Sequence, residues 1–301
     1  MPLVGIFTLG AGTTAMHGTI ALKDELASRG LKSGAQIAIE EVHVGSRYDR
    51  LQPLAEALAA KNPAVIVAAT SAAVTAASKA APRTPVVMVI VADPVATGFA
   101  KSLARPGGML TGISNASAET VAKFVELLVT ASPELKRIGF LVDTNLPVAL
   151  VASMKDMVRR SAAQYSIDVN LADVKRREEI EPAMVMLAKQ GMQALGIIPS
   201  ALPTTARKEI LQFASAQRWP VIAVTRQWAG DGALMSYGAD NDSQYRRAAY
   251  YVDRIFKGAK PADLPIELPA TYEMAVNLKT AKAFGLALPP EIIVRANVVI
   301  E

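Results

Sequence analysis

The chain has 301 residues, enough for two domains of about 150 residues each. Hydrophobic residues make up 51% and charged residues 20%, so buried cores can form, and the low aromatic share of 5% suits helices packed on parallel strands. The net charge is +5, yet the basic residues are scattered, and Lys175-Arg176-Arg177 is offset at once by Glu178 and Glu179, which reads as a solvated helix start and argues against a nucleic-acid partner.

The sequence contains no cysteine, which excludes disulfides and thiolate metal sites and fits an oxidising compartment. His17 and His43 have no metal-ligand spacing, so no metal is expected. Met1-Pro2 leads straight into a strand with no secretory signal, and no long, strongly apolar run marks a membrane span.

In chain order, Leu3 to Leu9 reads as a strand, Gly10-Ala11-Gly12-Thr13 as a loop, and Ala15 to Arg29 as a helix closed by Gly30. Gln36 to Val44 reads as a strand, Leu51 to Ala60 as a helix, and Val65 to Ala69 as a strand whose Thr70-Ser71 caps the next helix. Val86 to Val91 is a buried strand stopped by Asp93-Pro94. A short helical piece, Ala96 to Ala104, and a turn at Arg105-Pro106-Gly107-Gly108 precede a strand from Met109 to Ile113.

The alternation then restarts. Val121 to Leu128 is a helix, Arg137 to Val142 a strand ending at Asp143-Thr144-Asn145, Ala149 to Gln164 a helix and Ile167 to Leu171 a strand. Ile180 to Gln190 is a helix, Ala194 to Ile198 a strand ending at Pro199-Ser200, Thr204 to Gln217 a helix, and Val221 to Val224 a strand ending at Thr225-Arg226. Gly232 to Tyr237 is a strand and Asp240 to Lys257 a helix. Tyr272 to Val276 is a strand, Leu278 to Phe284 a helix and Ile292 to Ile300 a last strand. Regular strand–helix alternation predicts an α/β chain of two doubly wound lobes.

Three stretches carry a family resemblance: ADPVATGFAKSLARPGGMLTGIS, GALMSYGADNDSQYRRAAYYVDRIFKGAKPADLPIELP and YEMAVNLKTAKAFGLALPPEIIVRANVVIE. With them the chain resembles, over nearly its whole length, the solute-binding proteins of a bacterial ABC-transporter family that includes tryptophan-binding members. Met109 and Trp228-Ala229-Gly230 depart from the family pattern.

The resemblance implies a type I periplasmic-binding-protein fold, two Rossmann-like lobes joined by a three-crossing hinge, with a solute trapped between them by closure. It also implies an extracytoplasmic or periplasmic location with the leader removed, the membrane permease subunits of an importer as partners, and a monomer without cofactor. The expected lobes are residues 1–114 with 238–266 and 115–237 with 267–301. The expected hinges are Ser114-Asn115, Tyr237-Gly238 and Pro265 to Pro269.

No nucleophile–base pair can be assembled. Gly10-Ala11-Gly12 is half of a dinucleotide fingerprint, and Asp143, Asp173 and Asp231 lie on different strand–helix repeats as loop acids. The chain is therefore not expected to be an enzyme. The better constellation is the set just past strands: Gly10, Thr70, Ser71, Asp93, Asp143, Thr144, Asn145, Ser200, Arg226 and, at a strand's end, Tyr237. Open α/β sheets bind ligands at those edges.

The expected ligand is an amino acid or aromatic carboxylate. Its carboxylate would sit at the helix start near Thr70-Ser71, where first-turn N–H groups lack internal partners. Asp93 would meet an amino group, and Arg226 would grip a carboxylate. A sugar is disfavoured because only Tyr237 and Trp228 could stack on a ring. The same lobes would also suit a cytosolic ligand-sensing protein, which should carry a helix-turn-helix not found here, or a small-molecule enzyme.

Overall fold

The computed structural model describes residues 1–8, 13–45 and 47–301. The chain divides into two compact units, residues 1–116 with 240–271 and residues 117–239 with 272–301.

Unit 1 contains β1 (Leu3–Thr8), α1 (Thr13–Ser28), β2 (Ala38–His43), α2 (Leu51–Ala59), β3 (Val65–Ala69), α3 (Ser71–Ala80), β4 (Val86–Val91) and β5 (Leu110–Ser114). Unit 2 contains α4 (Ser117–Ala131), β6 (Arg137–Asp143), α5 (Val148–Gln164), β7 (Asp168–Val174), α6 (Ile180–Lys189), β8 (Ala194–Ile197), α7 (Ala201–Thr205), α8 (Arg207–Ala216), β9 (Val221–Ala223), α9 (Arg226–Gly230) and β10 (Met235–Ala239). The chain then gives α10 (Asn241–Phe256) to unit 1. It returns to unit 2 with β11 (Tyr272–Asn277), α11 (Leu278–Phe284), α12 (Pro290–Arg295) and β12 (Val298–Ile300).

Among the described residues, the unit 1 sheet runs β2-β1-β3-β4-β5, all parallel. Strands β1, β3 and β4 are buried on both faces, which is why they read as continuous apolar runs, whereas the edge strand β2 is partly exposed and carries Glu40 and Glu41. Val65, Val67 and Ala69 of β3 face one core with Leu22 and Leu26 of α1 and with Tyr245, Ala248 and Val252 of α10. Ile66 and Ala68 face the other with α2 and α3. The period of two along a strand thus supplies both cores from one segment.

The unit 2 sheet runs β12-β11-β10-β9-β8-β6-β7, parallel except where β11 pairs antiparallel with β10. Helices α6, α8 and α9 cover one face.

Four sequence expectations change. No helix spans Ala96 to Ala104: a single turn follows Asp93, and Gly98 at φ 76° ends it, because a left-handed residue cannot carry a helix onward. Ile292 to Ile300 is not one strand. Pro289 and Pro290 preset the dihedrals of a helix start, so Ile292 is buried from α12 and only residues 298–300 form a strand. The helix expected from Thr204 to Gln217 starts earlier and breaks at Ala206, which leaves helical geometry at ψ 12°. Trp228 is 1% exposed inside the α9 core, so it cannot stack on a ligand ring.

The lobe boundary drawn after Tyr237 falls inside β10, where Tyr237 pairs with Met274 and Gly238 with Glu273.

Candidate functional site

The carboxyl edge of the unit 1 sheet carries the densest set of unusual backbone. Thr70, directly after β3, has φ 83° and ψ 152°, a region that belongs to glycine. Ile90 has φ 55° within a register shift of β4 against β5, and Asp93 has φ 24°. A β-branched residue at positive φ is an outlier that its surroundings must hold in place. Gly112 shows how: at φ 132° it lies so close to β4 that a Cβ there would be 2.2 Å from the Met88 carbonyl oxygen.

The first turn of α3 is only partly capped. The Thr70 amide donates to the Val89 carbonyl (3.0 Å), and the Thr70 hydroxyl accepts from the Ala73 amide at a long 3.4 Å. The amides of Ser71 and Ala72 have no acceptor among the described residues. Unpaired first-turn amides and the helix dipole favour an anion.

The next strand end places Asp93. Its Oδ1 accepts from the amides of Val95 (3.2 Å) and Ala96 (2.9 Å). Its second oxygen has no partner among the described residues. A donor turn and a carboxylate thus sit at the ends of adjacent strands, about 5 Å apart in a sheet. At the ends of β1 and β2, the Thr8 hydroxyl and His43 Nδ1 are 2.8 Å apart. Gly10 lies outside the described residues.

Unit 2 holds the remaining predicted residues, all at or just past the carboxyl ends of its strands except Tyr237, which was expected at a strand's end but lies inside β10 because pairing with β11 carries that strand on to Ala239. Asp143 ends β6 and is buried, and its Oδ1 accepts from both the amide and the side-chain nitrogen of Asn145 (2.9 Å each). Asn145 Nδ2 also donates to the Lys175 carbonyl (2.7 Å), and the Thr144 amide donates to the Val174 carbonyl (2.9 Å). These three residues therefore tie the end of β6 to that of β7.

Ser200 precedes α7 but does not cap it, and its buried hydroxyl has no partner among the described residues. Arg226 opens α9, with its guanidinium 3.7 Å from Glu273 in an exposed, weak pair. Tyr237 stacks on Tyr272 with centroids 5.5 Å apart and planes 7° from parallel, and burial raises the pKa of both phenols above the usual 10.

Asp143 and Asp173, read as loop acids, lie within β6 and β7, and the three acids have separate partners. Asp173 pairs with Lys155 at 2.6 Å and Asp231 with Arg207 at 2.6 Å, and no metal-binding group of acids and histidines occurs among the described residues.

One residue was missed. Gln244, in the first turn of α10, is 3% exposed, and neither end of its carboxamide has a partner among the described residues. The only sequence signal was its place next to Tyr245 on the apolar stripe of the helix.

A family profile described as ABC transporter substrate binding protein matches residues 11–300. The chain belongs to that family. A curated tyrosine-binding protein from Clostridioides difficile is 24% identical over 261 residues, covering 87% of this chain and 74% of that protein. Two solved structures share the fold. A conserved domain protein from Vibrio cholerae has TM-score 0.90 and 22% identity, with 99% of each chain covered. A domain from Streptococcus pneumoniae in complex with L-Trp has TM-score 0.89 and 21% identity, again with 99% of each covered. This substrate-binding protein thus has the type I periplasmic-binding-protein fold.

Proposed function

We propose that this substrate-binding protein takes an aromatic amino acid, tyrosine or tryptophan, as the solute of an ABC importer. The observation that carries the reading is the pairing at the unit 1 edge: unpartnered amides of Ser71 and Ala72 beside the half-used carboxylate of Asp93. That is a charge pattern complementary to an α-carboxylate and an α-ammonium group. The names of the curated relative and of the L-Trp complex support the choice of an aromatic side chain.

The protein binds and releases rather than turns over its solute. It works outside the cytoplasm, as a monomer, and hands the solute to membrane permease subunits. Among the described residues, no helix is long and apolar enough to cross a membrane.

Closure of the two lobes on the solute, with Ser200 and Arg226 of unit 2 as further contacts, belongs to this proposal. Ligand should reduce the radius of gyration in solution scattering, and an unchanged radius with bound ligand would contradict closure. Binding itself is tested by calorimetry with the twenty amino acids. Saturable binding confined to tyrosine, tryptophan or both is expected, and binding of none of the amino acids would contradict the reading.

A further inference from the structure

We propose that Gln244 is a ligand-contacting residue whose carboxamide pairs with the head group of an α-amino acid at the carboxyl edge of the unit 1 sheet. This rests on the amino-acid reading above and names a contact that neither the strand-end pattern nor the comparisons assign.

A carboxamide carries two donors and an acceptor, and burying it without partners is unfavourable. Gln244 is 3% exposed, yet both Nε2 and Oε1 lack partners among the described residues. Ser78 and Ser200 each leave a single hydroxyl in that state, which makes Gln244 the heavier penalty. Packing does not require an amide here. Tyr245, Ala248, Tyr251 and Val252 on the same stripe are all buried, and a methionine would fill the Gln244 volume with no polar group to desolvate. A ligand that pairs with both ends of the amide would offset the cost.

The path of α10 puts that amide at the ligand edge. The Asp240 amide, just before the helix, donates to the Thr271 carbonyl. After the helix the chain runs alongside β5 in the same direction: Thr111 Oγ1 donates to the Leu264 carbonyl (2.8 Å), the Glu267 amide to Gly112 and the Ser114 amide to Glu267. Residue 264 therefore lies near the start of β5 and residue 271 beyond its end, so α10 begins at the carboxyl edge and ends at the amino edge. Helical side chains lean toward their helix's N-terminus, which directs Gln244 to that edge. Ile90, with φ 55°, packs on the same cluster as Tyr245 and Ala248 and precedes Asp93 by three residues.

The chemistry suits a zwitterionic head. The carboxamide can give N–H to a carboxylate and accept from an ammonium group at once, but it supplies no charge. The charge comes from Asp93 and the α3 first turn.

The test uses the full chain with Gln244→Met. Unfolding is followed without ligand, and binding of L-tyrosine, L-tryptophan and tyramine, which lacks the carboxylate, is measured by calorimetry. Gln244→Met should melt at a higher temperature than the parent without ligand. It should bind the preferred amino acid at least tenfold more weakly, and it should lose less affinity for tyramine. A variant that binds the amino acid as the parent does overturns the proposal and leaves the amino-acid reading standing. A variant that melts lower also overturns it, since the amide would then be a structural partner. A parent that binds no aromatic amino acid overturns the reading and this proposal with it.

Discussion

Gly18 of α1 and Tyr245 of α10 meet so closely that a Cβ on Gly18 would lie 2.3 Å from the tyrosine ring. Tyr245 is itself buried and cannot swing aside. The two helices of the unit 1 core are therefore seated on one another by the absence of a methyl group.

Gly18→Ala sets two effects against each other. Alanine in a helix interior gains about 1 kcal/mol over glycine, but overpacking a filled core costs about 1–3 kcal/mol. With a contact of 2.3 Å the clash wins. The net should be a loss of up to about 2 kcal/mol in denaturant unfolding; a gain would show that α1 and α10 can part freely.

Gly112→Ala should be worse. Its Cβ would meet the Met88 backbone oxygen and nitrogen at 2.2 and 2.6 Å, and its φ of 132° is foreign to alanine. Backbone cannot rotate away as a side-chain tip can, so a loss above about 3 kcal/mol is expected. The β4 irregularity that shapes Ile90 and Asp93 should shift with it, visible as chemical-shift changes at those residues. A stable variant with unchanged shifts would contradict that role.

Thr70 offers a test of strain by sign. Thr70→Gly removes a glycine-like strain of about 1–3 kcal/mol and loses only a few tenths of a kcal/mol as a cap, offset in part by glycine's extra unfolded entropy of about 0.5–1 kcal/mol. Thr70→Ala keeps the strain and loses about 1 kcal/mol of capping. The glycine variant should match or exceed the parent in denaturant midpoint, with the alanine variant below it. The reverse order would contradict the strained geometry.

Arg247 and Glu267 form a two-pronged pair, both contacts at 2.7 Å, that ties α10 to the segment beside β5. The hydrogen-bonded Arg247 guanidinium holds the Glu267 carboxyl below the usual glutamate value of 4.5 despite its partial burial. A depressed carboxyl contributes stability that is complete above 4.5 and is lost as pH falls through its lower folded value. The pair is about 40% exposed, so the amount is at most about 1 kcal/mol. Glu267→Gln should therefore flatten the acid limb of stability below pH 4.5 and leave its shape near neutral unchanged. An unchanged acid limb would contradict the coupling.

Much of this was legible because parallel strands buried on both faces leave an unbroken signal, as Val65 to Ala69 and Val86 to Val91 do. The misreadings share a cause. Ile292 to Ile300 is apolar enough for either period, and only the proline pair before it selects a helix start. Ala96 to Ala104 carries helix formers, but Gly98 adopts a left-handed φ that composition cannot reveal. At the candidate site, strand-end polar residues could be found because they follow their strands directly. The partners that Asp143 finds in Asn145 could not be told from ligand contacts. Gln244 comes to the edge from a helix more than 150 residues after β4 in sequence, so no local pattern marked it.

The most direct measurement is a calorimetric titration of the parent chain and Ser71→Pro with L-tyrosine and L-tryptophan. Proline at the first helical position preserves α3 while removing one unpartnered amide and a hydroxyl. The expected result is one-site binding of an aromatic amino acid by the parent and a loss of tenfold or more in the variant, with circular dichroism unchanged. Equal affinity in a folded Ser71→Pro protein would contradict the placement of the carboxylate, and no binding by the parent would contradict the receptor reading itself.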